Sequence, residues 1–232
     1  MRVRLARIEQ AAVGIKTFWF ETNHMPQYRA GQFTQLFLPH RPVDDRGTKR
    51  WFTLSSSPAE DMLAISTKFS PEDGSSFKAA MAALKPGTAL DLAYPMGDFV
   101  LPKDTSKPVV MVAGGIGVTP FRSMVRTAML NQHSRKITLL YAANTFEELA
   151  FVDIFQEADI TFVPIVSKAS RGWKGETGLL TAAHIIEHAG DEALIYLSGP
   201  DQMVRSLSDK LKGEGVGRRR IVTDYFPGYG GI

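Results

Sequence analysis

The run Val109-Val110-Met111-Val112-Ala113-Gly114-Gly115-Ile116-Gly117-Val118-Thr119-Pro120-Phe121 restricts the fold more than any other part of this chain. Its first five residues are apolar and suit a central parallel strand covered on both faces. Gly114, Gly115 and Gly117 then allow a sharp turn and a close backbone approach that any Cβ would obstruct. Thr119 is placed to cap the helix that follows, and Pro120 suits its first position, where a missing N–H costs nothing. A helix starting on such a turn leaves unpaired amides converging on one spot, which favours a phosphate. The bare pattern also fits a tight strand-to-helix turn with no ligand.

The residues on either side have different periods. Residues 1–101 read as antiparallel β, with strands expected at 15–21, 33–38, 51–54, 62–69 and 89–94, bounded by Gly, Pro, Asp or Ser. One helix interrupts them at 75–84, where Phe77, Met81 and Leu84 share a face. Short strands with one helix suggest a small barrel. Residues 102–107 read as a linker, and residues 108–232 then alternate. Strands are expected at 109–113, 137–142, 160–166, 193–197 and 220–223. Helices are expected after Thr119, at 147–157, at 181–188, and through Met203, Leu207 and Leu211. That alternation implies a doubly wound parallel sheet, and thus a two-domain β plus α/β chain. Ligands of such sheets lie beyond the C-terminal strand ends. The glycine loop, Tyr141-Ala142-Ala143-Asn144 and Ser198-Gly199-Pro200 lie at three of them. No Asp or Glu ends the 137–142 strand, where a dinucleotide fingerprint expects one for the ribose.

Composition removes several chemistries. The 232 residues contain no cysteine, so they form no disulfide and hold no thiolate-ligated zinc or iron–sulfur cluster. Redox chemistry here needs an organic cofactor. A net charge of +3 gives little reason to expect nucleic acid. No apolar run approaches the roughly 18 residues of a membrane helix, and the N-terminus lacks a signal-peptide pattern, so a cytoplasmic protein without membrane insertion is expected.

Six motifs, the glycine loop among them, occur in order along the chain: Arg50-Trp51-Phe52-Thr53, Gly74-Ser75-Ser76-Phe77-Lys78, Pro95-Met96-Gly97-Asp98-Phe99, the glycine loop, Ser198-Gly199-Pro200-Asp201-Gln202-Met203, and Asp224-Tyr225-Phe226-Pro227-Gly228-Tyr229. Together they resemble the ferredoxin–NADP reductase superfamily. The resemblance implies a flavin-binding barrel followed by a nucleotide-binding domain, with bound FAD and NADPH or NADH as substrate. Arg50 would hold the flavin pyrophosphate with its planar, permanently charged fork. Gly74, Ser75 and Ser76 would bind the rest of it, although capping explains Ser75 almost as well. Phe52, at the family's usual Tyr, would pack on the flavin or ribose, and Thr53 would hydrogen-bond near N5, which receives hydride. Gly114, Gly115, Gly117, Thr119 and Pro120 would hold the pyrophosphate of the nicotinamide nucleotide. Ser198, where many members have Cys, would sit with Gly199 and Pro200 beside the nicotinamide. Either Phe226 or Tyr229 would stack on the flavin ring. Thr53, Ser198 and Phe226 are thus the residues closest to hydride transfer.

The electron acceptor is expected to be a separate redox protein (a ferredoxin, a flavodoxin or an oxygenase component) or a small molecule. Two other readings stay open: a reductase of free flavin, and a non-catalytic flavin-binding subunit of a larger complex. Ser167, Lys168 and Arg171 fall where relatives recognise the adenosine 2′-phosphate and suit NADP. Trp173-Lys174-Gly175-Glu176-Thr177-Gly178 is equally similar to NADH-using relatives. His184-Ile185-Ile186-Glu187-His188 spells a zinc-peptidase pattern, but no third ligand follows and its isoleucines suit a buried helix face, so no metal is expected. Arg218-Arg219-Arg220 reads as a solvated turn before the last strand or a patch for an acidic partner or a phosphate.

Overall fold

The computed structural model describes residues 1–69, 74–132 and 134–225. Two six-stranded sheets follow one another along the chain. The first contains β1 (Arg2–Ala12), β2 (Ile15–Glu21), β3 (Phe33–Phe37), β4 (Lys49–Thr53), β5 (Leu63–Lys68) and β6 (Ala89–Leu92). Its order is β4-β3-β6-β1-β2-β5, and every pairing is antiparallel. A bridge between Leu54 and Ile65 joins the two ends of that order into a barrel. Val3, Leu5, Phe18, Phe20, Leu36 and Ile65 fill the interior. Helix α1 (Ser76–Ala82) closes it by burying Phe77 and Met81.

The second sheet contains β7 (Val109–Gly114), β8 (Ile137–Ala143), β9 (Thr161–Val166), β10 (Glu176–Thr177), β11 (Leu194–Gly199) and β12 (Ile221–Tyr225). All its pairings are parallel, in the order β10-β9-β8-β7-β11-β12. Helices α2 (Thr119–Leu130), α3 (Val152–Glu157), α4 (Ala182–Ala189) and α5 (Asp201–Gly213) connect the strands. β7 is buried throughout, as its uninterrupted apolar run requires. Met111 and Ala113 join one core layer, with Phe121 and Tyr141, while Val110 and Val112 join the other, with Ile185, Leu197 and Leu207.

Several local expectations need correction. Strand β1 escapes the alternation rule because bulges between Leu5 and Arg7 and between Gln10 and Ala12 break its period. The expected helix at 147–157 divides into a 3₁₀ turn, Phe146–Glu148, and α3. Phe151 has φ 64° between them, and the Ala150 amide donates to the buried Tyr141 hydroxyl at 3.1 Å. Thr119 does not cap α2. It lies inside the helix, Val118 is the cap, and the Thr119 hydroxyl donates to Ile116 O at 3.1 Å. His184 takes part in the reciprocal cap of α4: its Nδ1 accepts from the Thr181 amide at 3.1 Å.

The sheets meet along a polar seam. Arg122, in the second turn of α2, sends Nη1 to Ser55 O at 2.9 Å and grips Glu60 with both terminal nitrogens, Nη2 to Oε1 at 2.8 Å. Ser123 Oγ donates to Ser56 O at 2.5 Å, and Ser57 and Thr127 share a hydroxyl bond at 2.8 Å. The loop leaving β4 is thereby fixed against the helix that starts at the glycine turn. Phe99 packs on Phe121 and Tyr196, and the Tyr196 hydroxyl donates to Val100 O at 3.0 Å, which ties the connecting segment to the second sheet.

Candidate functional site

On the barrel side, Arg50 and Phe52 alternate along β4 with outward-facing Trp51. Both lie on Phe77 of α1: the Arg50 guanidinium carbon is 5.0 Å from that ring and the Phe52 centroid 6.1 Å from it. Arg50 Nη1 is held by the carbonyls of Arg46, Gly47 and Lys49 at 2.5, 3.3 and 2.7 Å. Nη2 is buried and has no hydrogen-bond partner. Burial lowers the Arg50 pKa, opposed by nearby Asp44. Ser75 precedes α1 but makes no side-chain cap, and its hydroxyl is also buried and unpartnered. Ser76 is used within the chain. Its amide donates to Asp44 Oδ2 at 2.9 Å, and its Oγ accepts from the Asp44 amide at 3.0 Å and lies 2.8 Å from His40 Nε2. A Cβ at exposed Gly74 would meet nothing within 4 Å. Thr53 ends β4, only 3% exposed, two residues before the Ser55 carbonyl that Arg122 holds.

On the sheet side, the glycine turn packs against the end of β11. A Cβ on Gly117 would lie 2.4 Å from Ser198 O and 2.5 Å from Gly199 Cα, whereas Gly115 is required for its φ of +52° and faces open space. Gly117→Ala is accordingly expected to destabilise the protein by about 3 kcal/mol, because backbone on both sides must move. Chemical denaturation measures this, and an unchanged midpoint would contradict the packing. Ser198 lies in register with Ala113 on β7 and Asp224 on β12. Its hydroxyl is the third buried, unpartnered side-chain group; among the described residues these are the only ones. Gly199 has φ +156° and Pro200 precedes α5, whose Met203 covers Gly114. Ser167 is exposed after β9, with its hydroxyl 3.4 Å from Asn144 Oδ1; Arg171 is exposed farther along the same loop. Phe226 and Tyr229 lie outside the described residues.

Asp224, on β12 opposite Ser198, carries an unusual carboxyl that its sequence motif does not signal. Burial, reinforced by the like charge of Asp98, pushes its carboxyl up to about 6. Its proton is held more tightly in the folded than in the unfolded state. The folded protein therefore loses stability as pH rises from the ordinary carboxyl range through about 6. Asp224→Asn is expected to be more stable than the parent by about 2 kcal/mol at pH 8, with no difference at about pH 4. Thermal unfolding across pH tests this; a gain at acidic pH alone would contradict the sign.

Comparison with known proteins bears on the fold and on the nucleotide-binding half. Residues 111–209 match the family described as oxidoreductase NAD-binding domain. The chain superposes on the flavohem-like FAD/NAD binding domain of nitric oxide dioxygenase from Vibrio cholerae O1 with a TM-score of 0.85, at 21% identity, covering 97% of this chain and 98% of that one. Residues 111–209 are thus an oxidoreductase NAD-binding domain, and the chain as a whole has the fold of that FAD/NAD binding domain. A ferredoxin NADP+ reductase from Neisseria gonorrhoeae with bound FAD and NADP superposes at TM-score 0.81 and 19% identity, over 97% of this chain and 98% of that one. The flavohemoprotein of Bacillus subtilis is 30% identical over 158 residues, which is 66% of this chain and 38% of that protein. The chain thus spans well under two thirds of the first curated relatives it matches. Among the described residues, no helix is long and apolar enough to cross a membrane.

Proposed function

We propose that this chain is a flavin-dependent NAD(P)H oxidoreductase that passes hydride from a nicotinamide nucleotide to bound FAD and electrons to a separate redox protein. One observation carries the reading. Among the described residues, the three buried side-chain groups without a hydrogen bond, on Arg50, Ser75 and Ser198, all fall on residues for which the resemblance implies a cofactor contact. A buried polar group left unpaired costs about 1–3 kcal/mol, which phosphate and carboxamide acceptors would recover.

The chain's own residues divide the work. Arg50, anchored through Nη1, offers Nη2 to a pyrophosphate oxygen, and Ser75 offers its hydroxyl beside it. Phe52 supplies an apolar wall, and Thr53 supplies a hydroxyl at the end of β4. Gly115 leaves open backbone at the end of β7 for a second pyrophosphate, with Gly114, Gly117, Thr119 and Pro120 shaping that turn. Ser198, Gly199 and Pro200 form the neighbouring strand end, where a nicotinamide carboxamide would find the Ser198 hydroxyl. The Arg122–Glu60 seam holds the two ends together. When bound, the flavin supplies the redox chemistry and the protein supplies position and electrostatics. Ser167 and Arg171 are available to a 2′-phosphate of NADPH.

Reconstitution tests this reading. Protein incubated with FAD and freed of excess is expected to keep a flavin spectrum and to reduce ferricyanide with NADPH or NADH. Colourless protein after that treatment would overturn bound flavin. Turnover that appears only while free flavin is supplied would favour a free-flavin reductase. Retained flavin with no turnover by either nucleotide would favour a non-catalytic electron-transfer subunit.

A further inference from the structure

Asp44 lies in the loop before β4 and makes a set of contacts that the flavin grip does not explain. Its Oδ2 accepts the Ser76 amide at 2.9 Å, and its own amide donates to Ser76 Oγ at 3.0 Å. Its Oδ1 lies 3.7 Å from Arg50 Nη2, the same nitrogen that has no hydrogen-bond partner. Arg46 approaches Asp44 through its amide at 3.1 Å and its guanidinium at 3.4 Å. His40 completes the network. Its Nδ1 lies 2.7 Å from Leu38 O, which only accepts, so Nδ1 donates. In the neutral ring Nε2 is then the acceptor, and the Ser76 hydroxyl at 2.8 Å donates to it. The amide and both functions of the Ser76 hydroxyl are therefore used by residues 38–44. The Ser76 amide, followed by burial acting in the opposite sense, keeps the Asp44 carboxyl below its ordinary pKa.

We infer that Asp44 competes, within the chain, with the flavin pyrophosphate for Ser76 and Arg50, and so sets how tightly FAD is held. The inference rests on the proposed pyrophosphate role of Arg50, Ser75 and Ser76. A carboxylate bonded to the Ser76 amide and facing Arg50 is in the position of one phosphate oxygen. A pyrophosphate seated on Arg50 must displace that carboxylate or accept a like charge beside it. FAD is then bound more weakly than the donor set alone would allow. Asp44→Asn removes the charge and keeps one oxygen for the Ser76 amide, at the cost of the second acceptor, which takes the Arg46 amide.

The test compares FAD and riboflavin, which lacks phosphate, by quenching of flavin fluorescence on the full chain, its Asp44→Asn variant and its Arg50→Ala variant. Asp44→Asn is expected to bind FAD roughly three- to tenfold more tightly at low salt, with riboflavin unchanged. The gain is expected to shrink at high salt, because it is electrostatic. Equal or weaker FAD binding by Asp44→Asn overturns the inference. So does a gain shared by riboflavin, or one indifferent to salt. FAD binding unaffected by Arg50→Ala overturns the pyrophosphate reading itself, and with it the competition. Weakening by Arg50→Ala without tightening by Asp44→Asn keeps that reading and rejects the role of Asp44.

Discussion

Arg50→Ala is expected to lose FAD, with affinity weakened on the order of a hundredfold, because the variant removes a charge-assisted donor that no neighbour replaces. The effect is large because the side chain is already organised. Carbonyls of residues 46, 47 and 49 hold one terminal nitrogen, Phe77 lies 5.0 Å from the guanidinium carbon, and the other nitrogen, 3.7 Å from Asp44 Oδ1, has no hydrogen bond of its own. Little rotamer freedom remains to be lost on binding. Arg50→Lys keeps the charge but cannot keep both the loop carbonyls and a phosphate, so it should recover only part of the affinity. Equilibrium dialysis measures both variants. A full flavin complement on Arg50→Ala would refute the role given to this arginine.

The second large effect concerns the seam. Arg122 and Glu60 are 6% and 15% exposed at their side chains, and Glu60 also accepts the Ser57 amide at 2.6 Å. Arg122→Ala would leave that carboxylate buried with Arg126 at 3.7 Å as its nearest cation. Breaking one side of a buried pair costs about 3–5 kcal/mol, which for a chain of this size lowers the melting temperature by roughly 10 °C. The double variant Arg122→Met with Glu60→Gln should recover much of the loss, since no buried charge remains unpaired. A single-variant loss below about 1 kcal/mol would show that the pair is solvated and does not fix the seam.

The parallel sheet was legible in the sequence because β7 is buried on both faces and needs a continuous apolar run, and because its glycine turn has a steric cause at Gly117. The barrel was legible where strands alternate cleanly. It was not at β1, where two bulges shift the register and charged residues cover the outer face. Thr119 shows the limit of capping rules: the 3₁₀ turn Gly115–Val118 moves the helix start, so a residue of capping type lies inside the first turn. Arg50 and Ser75 could be chosen from motifs, but the use of Ser76 by Asp44 and His40 could not, because those partners lie 32 and 36 residues away. Arg122 and Glu60, 62 residues apart, are likewise ordinary charges until the fold joins them.

The central claim is that the glycine turn at the end of β7 serves hydride delivery to a flavin on the barrel. Anaerobic stopped-flow mixing of FAD-loaded protein with NADPH, and separately with NADH, tests it most directly. The account predicts bleaching of the bound flavin by at least one nucleotide within a single turnover, with the ratio of the two rates fixing nucleotide preference. Flavin that stays oxidised with both would contradict it.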